Sequence, residues 1–123
     1  MYRLDLPSRT RVRASFEDAE YPPIAYLRST CGDTTTELGC AAPGSLSAGA
    51  ATELDETVAA GTYYLIVDGT RADSFGTASM SLRIDDLGAL DAACRGAPLI
   101  RPGTQIEGTT TGGTDRFQAT CAG

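Results

Sequence analysis

The pattern of apolar and polar residues in this chain is that of short β-strands separated by turns. Residues 62–67 are mostly β-branched and aromatic, which is typical of a buried strand, and Asp68-Gly69 ends the run with turn chemistry. In residues 79–84 every second side chain is apolar, which is the pattern of a strand with one solvated face. We therefore predict a hairpin at the centre of the core, with these side chains on its inner face: Tyr63, Leu65, Val67, Met80, Leu82 and Ile84.

The rest of the chain repeats this organisation. Further strands are predicted over residues 2–6, 11–16, 24–29 and 52–58, with loops or connectors at residues 17–23, 42–51 and 85–93. No stretch of twelve residues shows the 3.6-residue apolar period of a helix. With 123 residues, the chain is long enough for one domain with a sizeable core. The sequence thus predicts an all-β fold, a jelly-roll-like sandwich of two antiparallel sheets.

Charge and hydropathy narrow the possible partners. The net charge of −6 argues against nucleic acid, whose phosphates need a basic surface, and against anionic membranes. No apolar run approaches the ~20 residues of a membrane-spanning helix, and residues 1–5 do not resemble a signal peptide, which suggests a mature or excised piece. Three alternate arginines predict a solvated strand face that meets two carboxylates across the sheet: Arg9, Arg11 and Arg13 against Asp5 and Glu17.

The sequence contains few residues that could form a catalytic site. The chain has no histidine, so it cannot form a Ser-His-Asp or Cys-His arrangement or a usual catalytic zinc site. Residues 44–49 are not a Gly-x-Ser-x-Gly elbow, and there is no phosphate-binding or dinucleotide motif. We predict that the protein is not an enzyme.

Acidic residues after two predicted strands are candidates for calcium, which needs six to eight oxygen ligands. Asp68, Thr70 and Asp73 offer three ligands, and a second acidic group comprises Asp85, Asp86 and Asp91. Both sets are incomplete, and turn chemistry is the simpler interpretation of Asp68-Gly69. We predict no cofactor, and Asp68 and Asp73 are the calcium candidates.

The four cysteines, Cys31, Cys40, Cys94 and Cys121, form an even set. There is no Cys-x-x-Cys pair and no histidine, so disulfides are favoured over zinc or free thiols. Disulfides indicate an oxidising compartment. The turn at Gly32-Asp33 would let Cys31 and Cys40 approach each other.

Two parts of the sequence resemble a known family. Residues 61–69, Gly-Thr-Tyr-Tyr-Leu-Ile-Val-Asp-Gly, followed by Phe75-Gly76 and an alternating strand, resemble the end of a bacterial pre-peptidase C-terminal (PPC-like) domain. Residues 25–31 and 37–40 resemble the cysteine-bracketed hairpin of a myxobacterial-type variant found in tandem repeats. The resemblance implies a secreted or cell-surface, non-catalytic β-sandwich with two disulfides, Cys31–Cys40 and Cys94–Cys121.

The order of segments departs from that family. The segment from Cys94 stands before a Tyr-x-Leu strand in the resembled repeats, whereas here Tyr2-Arg3-Leu4 opens the chain. The chain therefore resembles a repeat cut out of register or permuted, with a main body of residues 1–90 and a C-terminal segment, residues 91–123. We predict that residues 105–107 and 116–120 complete the sandwich of this or a neighbouring copy.

Two functions are compatible with a secreted, non-catalytic β-sandwich. The first is a structural or assembly unit of a secreted or surface repeat protein, adhesive array or fibre, whose partners are neighbouring copies or the parent protein. The second is an accessory module of a secreted hydrolase that binds a carbohydrate or protein. Three tyrosines are candidate exposed aromatic contacts for such a ligand: Tyr21, Tyr26 and Tyr64.

Overall fold

The computed structural model describes residues 1–109 and residue 111, and in them seven strands form two antiparallel sheets. The predicted all-β class is confirmed. The first sheet has the order β1-β6-β3-β4, and the second has the order β5-β2-β7. The strands are β1 (Tyr2–Leu6), β2 (Thr10–Glu17), β3 (Pro23–Arg28), β4 (Glu37–Ala41), β5 (Thr52–Val58), β6 (Gly61–Gly69) and β7 (Ser79–Asp86).

The core lies between the inner faces of the two sheets. Alternate residues of each strand point inward, as the two-residue period of a strand requires. Val12, Ala14 and Phe16 of β2 are buried, and they pack in one cluster with Leu27 of β3 and Leu65 of β6 from the opposite sheet. Because β2 and β6 are each paired on both sides, they hold the centres of their sheets.

The predicted hairpin of residues 62–67 and 79–84 is wrong, although the prediction of its inner face is largely confirmed. β6 pairs with β1 and β3, whereas β7 pairs with β2 in the other sheet. Tyr63 and Leu65 are buried, Met80 and Leu82 are partly buried against the core, and Ile84 is 46% exposed. Residues 70–78 are long enough to cross the ~10 Å between packed sheets, so the strand that follows them can join either sheet. The apolar pattern determines which face of a strand is buried, but it does not determine which strand it pairs with.

The chain divides into two compact units, Met1–Leu87 and a second unit from Gly88 onward. The prediction of a single sandwich domain over residues 1–123, with a main body of residues 1–90, stays a prediction. The second unit contains α1 (Gly88–Arg95), in place of the latter part of the predicted connector 85–93. α1 has eight residues, and none of them is buried. Residues 105–107 lie in no strand, and residues 116–120 are outside the described residues, so completion of a sandwich by this segment stays a prediction.

Candidate functional site

The outer face of the three-stranded sheet is occupied by ion pairs. Arg11 Nε donates to Asp55 Oδ1 at 2.7 Å, and Asp85 accepts from Arg13 at 2.8 Å and from Arg83 at 2.9 Å. Hydrogen bonds from these arginines hold the pKa of Asp55 and of Asp85 below the ordinary aspartate value. The charges on this face largely satisfy one another, which leaves little for a ligand.

These pairs also correct the predicted partners of the arginine stripe. A solvated strand face was expected, and Arg11 and Arg13 do lie on one, but their carboxylates come from β5 and β7 rather than from Asp5 and Glu17. Asp5 belongs to the other sheet. The stripe was placed correctly because alternation defines a strand face, whereas its cross-strand partners depend on sheet order.

The outer face of the four-stranded sheet has an apolar centre. Ile24 and Tyr26 of β3 and Tyr64 and Ile66 of β6 point away from the core, and we call these four residues the tyrosine face. In the register of the sheet Tyr26 lies opposite Ile66, so an aromatic and a β-branched side chain form a cross-strand pair. All four are half-buried by their neighbours. Within residues 1–87 no further strand layer packs on this face.

Charged residues border the tyrosine face on both sides. The guanidinium of Arg28 lies over the Tyr26 ring, 4.5 Å from its centroid, and also pairs with Glu37 of β4 at 3.5 Å. On the opposite edge, Arg3 pairs with Asp5 at 3.0 Å. Hydrogen bonds from Thr62 and from Arg3 lower the pKa of Asp5. The border thus carries both signs of charge around an apolar centre.

The predicted tyrosines separate into two places. Tyr26 and Tyr64 lie together on the tyrosine face, whereas Tyr21 lines a cleft of about 270 Å³ at one end of the sandwich. We call it the loop cleft, and it is formed by three loops: residues 18–22, 42–51 and 70–78. Sequence reasoning missed Ile24 and Ile66. The signal was present in the continuous apolar run 63–67, since a strand apolar at every position has two apolar faces.

The predicted bond Cys31–Cys40 is not present, because both residues are free thiols in the structure. Cys40 lies opposite Tyr26, and Ser29 donates to Thr36 three residues further along this strand pair, before the turn that carries Cys31. Three residues at about 3.3 Å each place the start of the turn about 10 Å from Cys40 along the strands. This distance exceeds the ~7 Å between Cα atoms that a disulfide allows. Partial desolvation and then the charge of Glu37 raise the pKa of the Cys40 thiol.

The second predicted disulfide involves a residue that lies beyond the described part of the chain. Cys94 is an exposed free thiol in α1, and Cys121 is outside the described residues. The pairing Cys94–Cys121 stays a prediction.

The calcium candidates form no cation-binding group of three acidic side chains within the described residues. Asp68 Oδ1 accepts a hydrogen bond from the Gly69 amide at 2.8 Å, as the turn interpretation expects, and Asp73 lines the loop cleft. Asp85 is held by arginines, and Asp86 accepts from the Ser8 hydroxyl. In residues 1–109 and 111, no three acidic or cysteine side chains are grouped closely enough to hold a metal ion.

No protein-family model, curated protein or solved structure matches this chain. The helices in the described residues are all too short or too polar to span a membrane. The physical contrast between the two outer faces is therefore the main indication of function.

Proposed function

We propose that this protein is a non-catalytic β-sandwich module that acts as an assembly unit and docks on a neighbouring copy through the tyrosine face. One observation carries the proposal: within residues 1–87 no strand layer covers the apolar centre on the outer face of one sheet, whereas the outer face of the other sheet is occupied by ion pairs. Large apolar side chains grouped on an exposed sheet face are typical of a surface that meets a partner.

The dimensions of the face favour assembly between tethered copies. The tyrosine face together with its charged border spans four strands at about 4.8 Å spacing and five residues at about 3.3 Å each, which gives roughly 300 Å². Stable interfaces bury about 800 Å² on each partner, so this contact is too small to hold two free molecules together firmly. Copies joined in a repeat protein meet at a millimolar effective concentration, at which a weak contact is sufficient.

The charges on the border suit contact between identical surfaces. One side of the tyrosine face carries the pair Arg3–Asp5, and the other carries Arg28–Glu37. A two-fold contact sets each patch against itself, and borders with both signs can then meet without like-charge repulsion. The absence of histidine from the sequence supports a non-catalytic role. The resemblance to PPC-like repeats supports placing the module in a secreted or cell-surface protein.

Small-angle X-ray scattering over a concentration series reaching about 1 mM, the range imposed by a short linker, tests the proposal. We expect the apparent mass to rise with concentration for the natural protein and to stay that of a monomer for Tyr64→Thr. The matched control is Thr57→Ala, an exposed position of β5 in the other sheet, which should associate like the natural protein. Equal association of all three proteins would contradict the proposal, and so would a natural protein that stays monomeric throughout.

A further inference from the structure

The loop cleft is held in shape by backbone hydrogen bonds between its loops. The Gly49 amide donates to Ala19 O at 2.7 Å, and the Glu20 amide donates to Thr77 O at 2.9 Å. Glu20 is also held by its side chain, since its carboxylate accepts from the Thr77 amide at 2.8 Å. These bonds connect all three loops, so the cleft is preformed, which lowers the entropic cost of binding.

Large apolar side chains stand exposed at the cleft. Phe75 is 81% exposed, and Leu46 from a different loop is 59% exposed. No packing within the described residues explains an aromatic ring that is so open to water. Its exposed face is available for stacking.

Two charged groups of the cleft have no internal partner. The side chains of Arg71 and Asp73 make no hydrogen bond or ion pair within the described part of the chain. Each of the other arginines in residues 1–87 has an interaction partner: Arg3, Arg9, Arg11, Arg13, Arg28 and Arg83. Arg71 is thus the exception in this unit, and it lines the same cleft as Phe75.

We propose that the loop cleft binds one ring of a neutral oligosaccharide. The C–H face of a sugar ring stacks on an aromatic side chain, while its hydroxyls accept from an arginine and donate to carboxylates. The cleft offers Phe75 for stacking, Arg71 as the donor and Asp73 as the acceptor. Its volume of about 270 Å³ lies just below the ~300–1,000 Å³ of pockets for drug-sized ligands, which suits a single ring.

Charge distinguishes a neutral sugar from an ionic ligand. Glu20 and Asp73 outnumber Arg71, so the cleft does not favour an anion such as a sulfated or acidic sugar. Arg71 in turn weakens the attraction of the two carboxylates for a strongly basic peptide. This site lies apart from the tyrosine face, and the inference does not depend on the proposed assembly.

Titration of the full ¹⁵N-labelled chain with cellohexaose, mannohexaose, maltohexaose and galactohexaose, followed by NMR chemical shifts, tests the proposal. We expect at least one sugar to shift the amides of residues 19–21 and 71–77 saturably, with a Kd of about 1 mM or tighter. Phe75→Ala should raise that Kd about tenfold because the stacking surface is lost, and Arg71→Gln should raise it about fivefold. Both side chains are exposed, so the melting temperature should not change.

Two control variants keep this test specific. Arg3→Gln removes an exposed arginine outside the cleft, and Leu38→Ala removes a 47% exposed apolar side chain of β4, so neither should change the Kd. Four results would overturn the inference: no shifts with any of the four sugars, shifts at the tyrosine face instead, an unchanged Kd for Phe75→Ala, or stronger binding of heptalysine at the same amides. The other three results have no bearing on self-association through the tyrosine face, whereas sugar shifts at that face would compete with it.

Discussion

Leu65→Ala is the substitution that tests the assignment of inner and outer faces most sharply. Leu65 is fully buried on the inner face of β6, where it packs in the core cluster shared by both sheets. Loss of three carbon groups costs about 2.4 kcal/mol at about 0.8 kcal/mol each. The cavity left behind adds to this, so the free energy of unfolding should fall by about 2–5 kcal/mol. For a domain of this size the melting temperature should fall by roughly 10 °C or more.

The adjacent residue provides the matched control. Ile66 is the next residue of the same strand, and it lies half-buried on the tyrosine face. Ile66→Ala should therefore destabilise the fold by clearly less than Leu65→Ala. Urea unfolding of the two variants, followed by tyrosine fluorescence, measures both free energies. A loss for Ile66→Ala that equals or exceeds the loss for Leu65→Ala would show that the faces of β6 are assigned incorrectly.

Three further predictions concern charge, backbone and thiols. Hydrogen bonds from its arginine partners lower the pKa of Asp85. The contribution of this carboxylate to stability is therefore present above the unfolded pKa of about 3.9 and is lost as pH falls through the folded pKa. Between pH 6 and pH 2.5 the melting temperature should fall less for Asp85→Asn than for the natural protein. Gly69→Ala should destabilise by about 1–3 kcal/mol in urea unfolding, because the new Cβ would collide with the backbone of Ser74, and an unchanged midpoint would contradict this contact. Alkylation without reductant should modify both Cys31 and Cys40, and peptide mapping that recovered them linked would contradict the structure.

The sequence predicts the strands and their buried faces because both follow from a local two-residue pattern. β2 and β5 lie where the alternation of apolar residues places them, and the burial of Leu65 follows from the same rule. The pairing of β7 with β2 could not be predicted, since it depends on how a long loop crosses between sheets. The error in the partners of the arginine stripe has the same origin.

The candidate sites were predictable only in part. Two of the three tyrosines proposed for binding, Tyr26 and Tyr64, do lie together, because their strands are neighbours. The exposure of Phe75 could not be inferred from sequence, as it depends on three loops that meet at one end of the sandwich. The Cys31–Cys40 prediction failed because a turn brings two strands together without aligning these particular residues.

The proposed docking surface is tested most directly by ¹⁵N NMR spectra of the natural protein recorded over a concentration series to about 1 mM. If copies meet through the tyrosine face, the amides whose shifts change with concentration will be concentrated in β3 and β6, around Tyr26 and Tyr64. The amides of β2 and β7 in the charged sheet will keep their shifts. Concentration-dependent shifts centred on β2 and β7, or shifts that do not depend on concentration anywhere, would contradict the account.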